Sequence, residues 1–137
     1  MVKYISYLFL ILIISCENKK ITFLKSEANQ NIILVKNTSN DYGKTKNAIK
    51  SFILKVKPTN DVLFYKYDYL KTRYFLENKE DYSGGLSGEE ISFYTELGIV
   101  ELNIIRINNC SIKAELKYLN NEYGNYYSPD TINYNCK

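Results

Sequence analysis

The chain has 137 residues, 18 Lys and Arg against 15 Asp and Glu, a net charge of +3 and no histidine. One domain of ordinary size fits that length, and so small a charge excess argues against a nucleic-acid partner. Without histidine, every His-dependent base, nucleophile activator or metal ligand is excluded.

The chain opens with one positive charge, Lys3, followed by an apolar run from Tyr4 to Ser15 and then Cys16. A charged start and an apolar stretch of about a dozen residues make a secretory signal. The run is shorter than the roughly 18 apolar residues a spanning helix needs. Its end, Ile13-Ile14-Ser15-Cys16, resembles the lipobox of bacterial lipoproteins, and the chain is similar to small lipoproteins of uncharacterised function. The resemblance implies removal of residues 1–15 and lipidation at Cys16, with palmitate among the acyl groups. It also implies a short lipidated tether, 16–20, and the length that remains, 21–137, reads as one domain, α+β by the pattern of elements below. The resemblance places that domain in the cell envelope, outside the cytoplasm, held to a membrane by its lipid anchor. Residues 17–58 carry nine Lys against three acids. Next to an anchor, such a segment either lies against anionic head groups or is a solvated lysine-rich surface.

Taken in order, Ile21 to Lys25 reads as a short strand and Ser26 to Asn31 as a loop. The continuous apolar run Ile32 to Val35 predicts a buried strand. Asn37 to Asn47 is polar and reads as loop. Ile49, Phe52, Ile53 and Val56 form one helical stripe. With Pro58 as a stop, that stripe predicts a helix over 45–57, capped by Thr45 or Asp41. Beyond it the period changes to two. Val62 to Tyr69, Thr72 to Glu77 and 90–97 read as strands, with the Gly84–Gly88 segment as a loop. A turn at Leu97-Gly98 would set Phe93 against Leu102 and Ile91 against Ile104. A three-residue loop at 107–109, with Asn109 left-handed, would set Ile104 against Ile112 and Leu102 against Ala114. In the last hairpin, residues summing to 246 oppose, so Ile112 meets Tyr134 and Ala114 meets Ile132. The same register brings Cys110 to Cys136. With Cys16 assigned to lipid, that even pair suggests one disulfide in an exported domain. It would close a loop of about 27 residues and contribute roughly 3.5 kcal/mol. The fold class that results is α+β, one amphipathic helix packed on a curved antiparallel sheet of about five to seven strands.

No catalytic constellation, cofactor motif or metal-ligand cluster stands out. The Gly84–Gly88 segment lacks the lysine and helix of a phosphate loop. Glu77, Glu80, Asp81 and Glu89 flank it and are the candidates for a calcium site or for a carboxylate-dependent hydrolase. Both are outweighed by a solvated acidic surface. Tyrosine is abundant, 14 in all. Tyr65, Tyr67 and Tyr69 share a strand face, and Tyr123, Tyr126 and Tyr127 gather in the last loop. Such residues bury apolar area behind a polar tip and favour interfaces, although the AT-rich codon bias implied by frequent Asn, Ile, Lys and Tyr raises tyrosine everywhere. The expectation is a non-enzymatic lipoprotein that binds another macromolecule in the envelope, of inhibitor or immunity type. Membrane-bound lysozyme inhibitors are lipoproteins of this general kind, but their Ser-Gly-x-x-Tyr pattern is broken here, where Ser87-Gly88-Glu89-Glu90 runs into Ile91. The alternative is a small-ligand or lipid-binding domain with an apolar pocket between helix and sheet.

Overall fold

The computed structural model describes residues 19–26, 30–67 and 96–135. The signal, Cys16, Tyr69, the strand expected at 72–77, the Gly84–Gly88 segment with its acids, and Cys136 lie outside them. The elements are β1 (Thr22–Lys25), β2 (Ile32–Lys36), α1 (Tyr42–Val56), β3 (Val62–Lys66), β4 (Gly98–Arg106), β5 (Ser111–Tyr118) and β6 (Asp130–Asn135). The six strands form one sheet in chain order, and α1 is packed with it, an α+β arrangement as the sequence indicates. All neighbouring pairs are antiparallel except β2–β3. Those two are parallel because a helix connects them, and a parallel pair needs a crossover.

The strands differ in how they use their faces. In β5, Ile112, Ala114, Leu116 and Tyr118 are buried, and the residues between them are half-exposed. That is the one-sided pattern of a sheet with a single core face. In β2, Ile32, Ile33, Leu34 and Val35 are all buried, so both faces of this strand are covered. The main core joins Ile33 and Val35 of β2, Ile49 and Ile53 of α1, Phe64 of β3 and the inward row of β5. Ile99 has no partner between the pairs Phe64–Val100 and Tyr65–Gly98, which makes it the extra residue of a β-bulge.

The helix begins at Tyr42, three residues before the position its apolar stripe suggests. Asp41 caps it, its Oδ1 accepting from the Gly43 N–H at 3.0 Å. Thr45 is buried inside the first turns, where its Oγ1 accepts from the Ser39 N–H at 3.1 Å. Tyr42 extends the stripe by packing edge-on against Tyr123 at 4.9 Å. At the other end, Lys57 turns left-handed (φ 54°) and donates its N–H to the Ile53 carbonyl, just before Pro58.

The β5–β6 register pairs Ile112 with Tyr134 and Ala114 with Ile132, as expected. The β4–β5 register is displaced by two residues. Ile104 faces Ala114 and Leu102 faces Leu116, because the three-residue turn is 108–110, one position later. Asn109 is not left-handed; among non-glycine described residues only Asn37 and Lys57 have positive φ. Instead the Asn108 Oδ1 accepts from the Cys110 N–H and folds the turn locally. The hairpin expected at Leu97-Gly98 is overturned. Gly98 belongs to β4 and pairs with Tyr65, while β3 and β5 occupy both edges of β4 at Val100 and Leu102. Residues 90–95 of the strand expected at 90–97, with Ile91 and Phe93, lie outside the described residues.

Candidate functional site

Two recesses lie at opposite ends of the helix. The first is at its C-terminal end, beside the start of β2 and β3. It has a volume of about 450 Å³. Its floor is apolar: Phe23 of β1, Ile33 of β2, Val62 and Phe64 of β3, and Phe52 and Val56 of α1. Phe23 and Phe52 stack at 4.3 Å between centroids, and Phe64 meets both edge-on at 6.4 and 6.0 Å. The sequence makes this cluster by simple means. Phe23 pairs with Val35 and so points to the core side of β1, while Phe52 falls on the helix stripe directly above. The rim is polar, with Gln30, Asn31, Thr59 and Asn60, and Lys25 is the only charged residue among the described residues that line it. This volume lies within the range of small-molecule sites, and so does the pattern of an apolar floor with a few polar groups.

The second recess is at the N-terminal end of the helix, where the chain enters β1. Lys19, Lys20, Ile21 and Lys44 line it together with the segment Asn37 to Asn40. Asn37 is left-handed (φ 56°), and its Nδ2 donates to the Lys20 carbonyl at 3.0 Å, which pins the entering chain to the domain.

Next to this end is a polar cluster that the sequence did not single out. Asp130 at the start of β6 accepts from the Tyr118 hydroxyl at 2.7 Å and pairs with Lys50 at 2.7 Å and Lys46 at 3.7 Å. Lys46 also lies over the Tyr118 ring at 4.4 Å. The Lys50 and Tyr118 bonds hold the Asp130 carboxyl below the usual carboxylate range. Burial, then the bond to Asp130, pushes the Tyr118 phenol well above its ordinary value. Asp130 is thus an ionised carboxylate with three partners, a clamp of helix on sheet and not a poised acid or base. Among the described residues no three His, Cys, Asp or Glu side chains gather to hold a metal. None of their helices is long and apolar enough to cross a membrane.

The expected tyrosine surface is dispersed. Tyr65 and Tyr67 lie on β3 and its end, and Tyr67 carries Lys36 over its ring at 4.3 Å. Tyr123 is a correction: it is 2% exposed and belongs to the core, because the loop after β5 folds it back onto Tyr42. Its hydroxyl is buried without a hydrogen-bond partner. Burial, with the nearby Tyr42 and Glu122, pushes its phenol up to about 12. Tyr126 and Tyr127 remain on the surface with rings 5.5 Å apart, Tyr127 at 90% exposure. Tyr126 donates to the Glu101 carboxylate at 3.1 Å, and the same charge raises the half-buried Tyr65 phenol after burial itself. Glu101 therefore links the β3 tyrosine Tyr65 with the loop tyrosine Tyr126.

Of the expected Cys110–Cys136 bridge, Cys136 lies outside the described residues. Cys110 is a free, exposed thiol. It sits inside the 108–110 turn, while the β5–β6 ladder ends one residue later at Ser111–Asn135. No family model, curated protein or solved structure matches the chain.

Proposed function

We propose that this chain is a lipid-anchored, exported binding domain without enzymatic activity, and that the aromatic-floored cleft takes a small amphipathic ligand with an anionic group. The cleft carries this reading. It offers apolar area at its floor, one cation at its rim and no competing acid among its described lining residues. The dispersal of the tyrosines favours it further, since a flat macromolecular interface needs its aromatic anchors in one patch. The anchor itself rests on the lipobox, in which two or more acyl chains supply stable attachment.

The test is titration of the purified protein with a fluorescent fatty acid, alongside native mass spectrometry for co-purified small molecules. Saturable one-to-one binding is expected. Val56→Arg, at an exposed position on the cleft wall, should weaken it at least tenfold, and Lys25→Gln should weaken the anionic probe more than its neutral ester. Absence of saturable binding, or indifference to Val56→Arg, defeats the proposal.

A macromolecular partner of inhibitor or immunity type is the second reading. The exposed Tyr126–Tyr127 pair beside Glu101 favours it. An envelope protein retained by the native chain and lost with Tyr126→Ala/Tyr127→Ala would support it.

A further inference from the structure

The basic recess at the entry of β1 has a feature that a merely solvated surface does not require. Lys19, Lys20 and Lys44 converge on it, and none of them is ion-paired with a described residue. The neighbouring Asp41 caps the helix and offsets one of the three charges. Lys46 and Lys50, further along the helix, share the single carboxylate of Asp130. The end of the domain is thus divided. Among the described residues its β1–β2 side keeps a net positive charge, Lys19, Lys20 and Lys44 against Asp41, while Glu122 and Asp130 sit around the β5–β6 side.

The position of this charge matters as much as its sign. Lys20 follows Cys16 by four residue steps, at most about 14 Å of extended chain. The Asn37 side chain fixes Lys20 to the body of the domain. If Cys16 carries lipid, the recess is held within one or two Debye lengths of the head groups, where each lysine gains from anionic lipid.

We propose that this basic recess docks on anionic phospholipid head groups of the membrane that holds the anchor, so that the domain stands with its helix N-terminus down and its cleft away from the bilayer. The proposal rests on the lipid-anchor reading above. A 15-residue helix separates the two recesses by about 22 Å, which places the cleft mouth in the aqueous space.

Lysine acetylation of the intact protein in vesicles tests this, read residue by residue by peptide mass spectrometry. The vesicles are phosphatidylcholine alone or phosphatidylcholine with phosphatidylglycerol. Labelling of Lys19, Lys20 and Lys44 should fall about threefold or more in the anionic vesicles and recover at high salt. Lys113 and Lys117 on β5 should label equally in both. The variant Lys19→Ser/Lys20→Ser/Lys44→Ser should leave the anchored domain with no difference between vesicles at its remaining lysines. Equal labelling of the three lysines in both vesicles overturns the docking proposal. The mass of the Cys16 peptide reports the anchor separately. If Cys16 proves unmodified, salt-sensitive sedimentation of the same protein with anionic vesicles alone still supports docking, and failure to sediment overturns it.

Discussion

The two ends of the helix are held by different chemistry, and the difference teaches how one small domain can carry two unlike surfaces. At the N-terminal end, polar bonds with defined partners fix the structure: the Asp41 cap, the Asp130 clamp and the Asn37 tie to the incoming chain. Such bonds satisfy some charges and leave others unmatched, so this end acquires a field. At the C-terminal end, ring contacts dominate, joined by a part-buried tie from the Tyr134 hydroxyl to the Pro58 carbonyl at 2.6 Å. Ring packing is indifferent to direction and leaves apolar space where three rings do not fill a corner. One end therefore presents charge and the other presents apolar surface.

The largest expected effect is at the aromatic end. Phe64 is fully buried, and Phe64→Ala should cost about 4 kcal/mol in urea unfolding. A cost near 1 kcal/mol would mean that the cleft floor is not part of the core. Next comes the polar end. A Cβ on Gly124 would stand 2.4 Å from Cδ2 of the buried Tyr118 ring. Gly124→Ala should cost about 2 kcal/mol, because the displaced ring would pull its hydroxyl from Asp130. An unchanged midpoint would show that the loop gives way freely.

Asp130→Asn should cost about 1 kcal/mol at neutral pH, since the clamp is partly exposed. Its pH signature is more telling. The folded carboxyl lies below its unfolded value. The clamp therefore stabilises fully above the ordinary carboxylate range and is lost as pH falls through the folded value. Acid unfolding of Asp130→Asn should be shallower than that of the native chain, and parallel curves would remove Asp130 from the account. The smallest effect is at the unpartnered hydroxyl. Tyr123→Phe should be neutral or stabilising by up to about 1 kcal/mol, and a marked loss of stability would reveal a partner for that oxygen.

Much of the sheet was legible because alternation is a strong signal. The strictly one-sided pattern of β5 set its register with β6 correctly, and the Ile32 to Val35 run announced a strand buried on both faces. Alternation repeats every two residues, so it cannot distinguish a register from one displaced by two. That is where the β4–β5 expectation slipped, between two adjacent asparagines either of which could open the turn. Gly98 looked like a turn residue but is a strand residue beside a bulge, a distinction made only by the neighbouring β3. The helix stripe was clear from Ile49 onward, whereas its first turn depends on Tyr42 meeting Tyr123, more than eighty residues away. The cleft was illegible for the same reason. Phe23, Phe52 and Phe64 belong to three separate elements, and nothing local says that they meet.

The strand order has a consequence for how the molecule is made. Spatial neighbours are neighbours in the chain, so β4, β5 and β6 can zip together through short connections. The β3–β4 pairing must instead close the interval between Lys66 and Gly98. Relative to a turn of three residues, closing roughly ten times more chain costs about 2 kcal/mol of additional entropy. A chain released amino end first exposes β1, α1 and β3 before the strand that completes their sheet exists. During that interval the half-built edge at β3 is open to any extended peptide. Amide exchange pulsed during refolding should therefore protect β5 before β2.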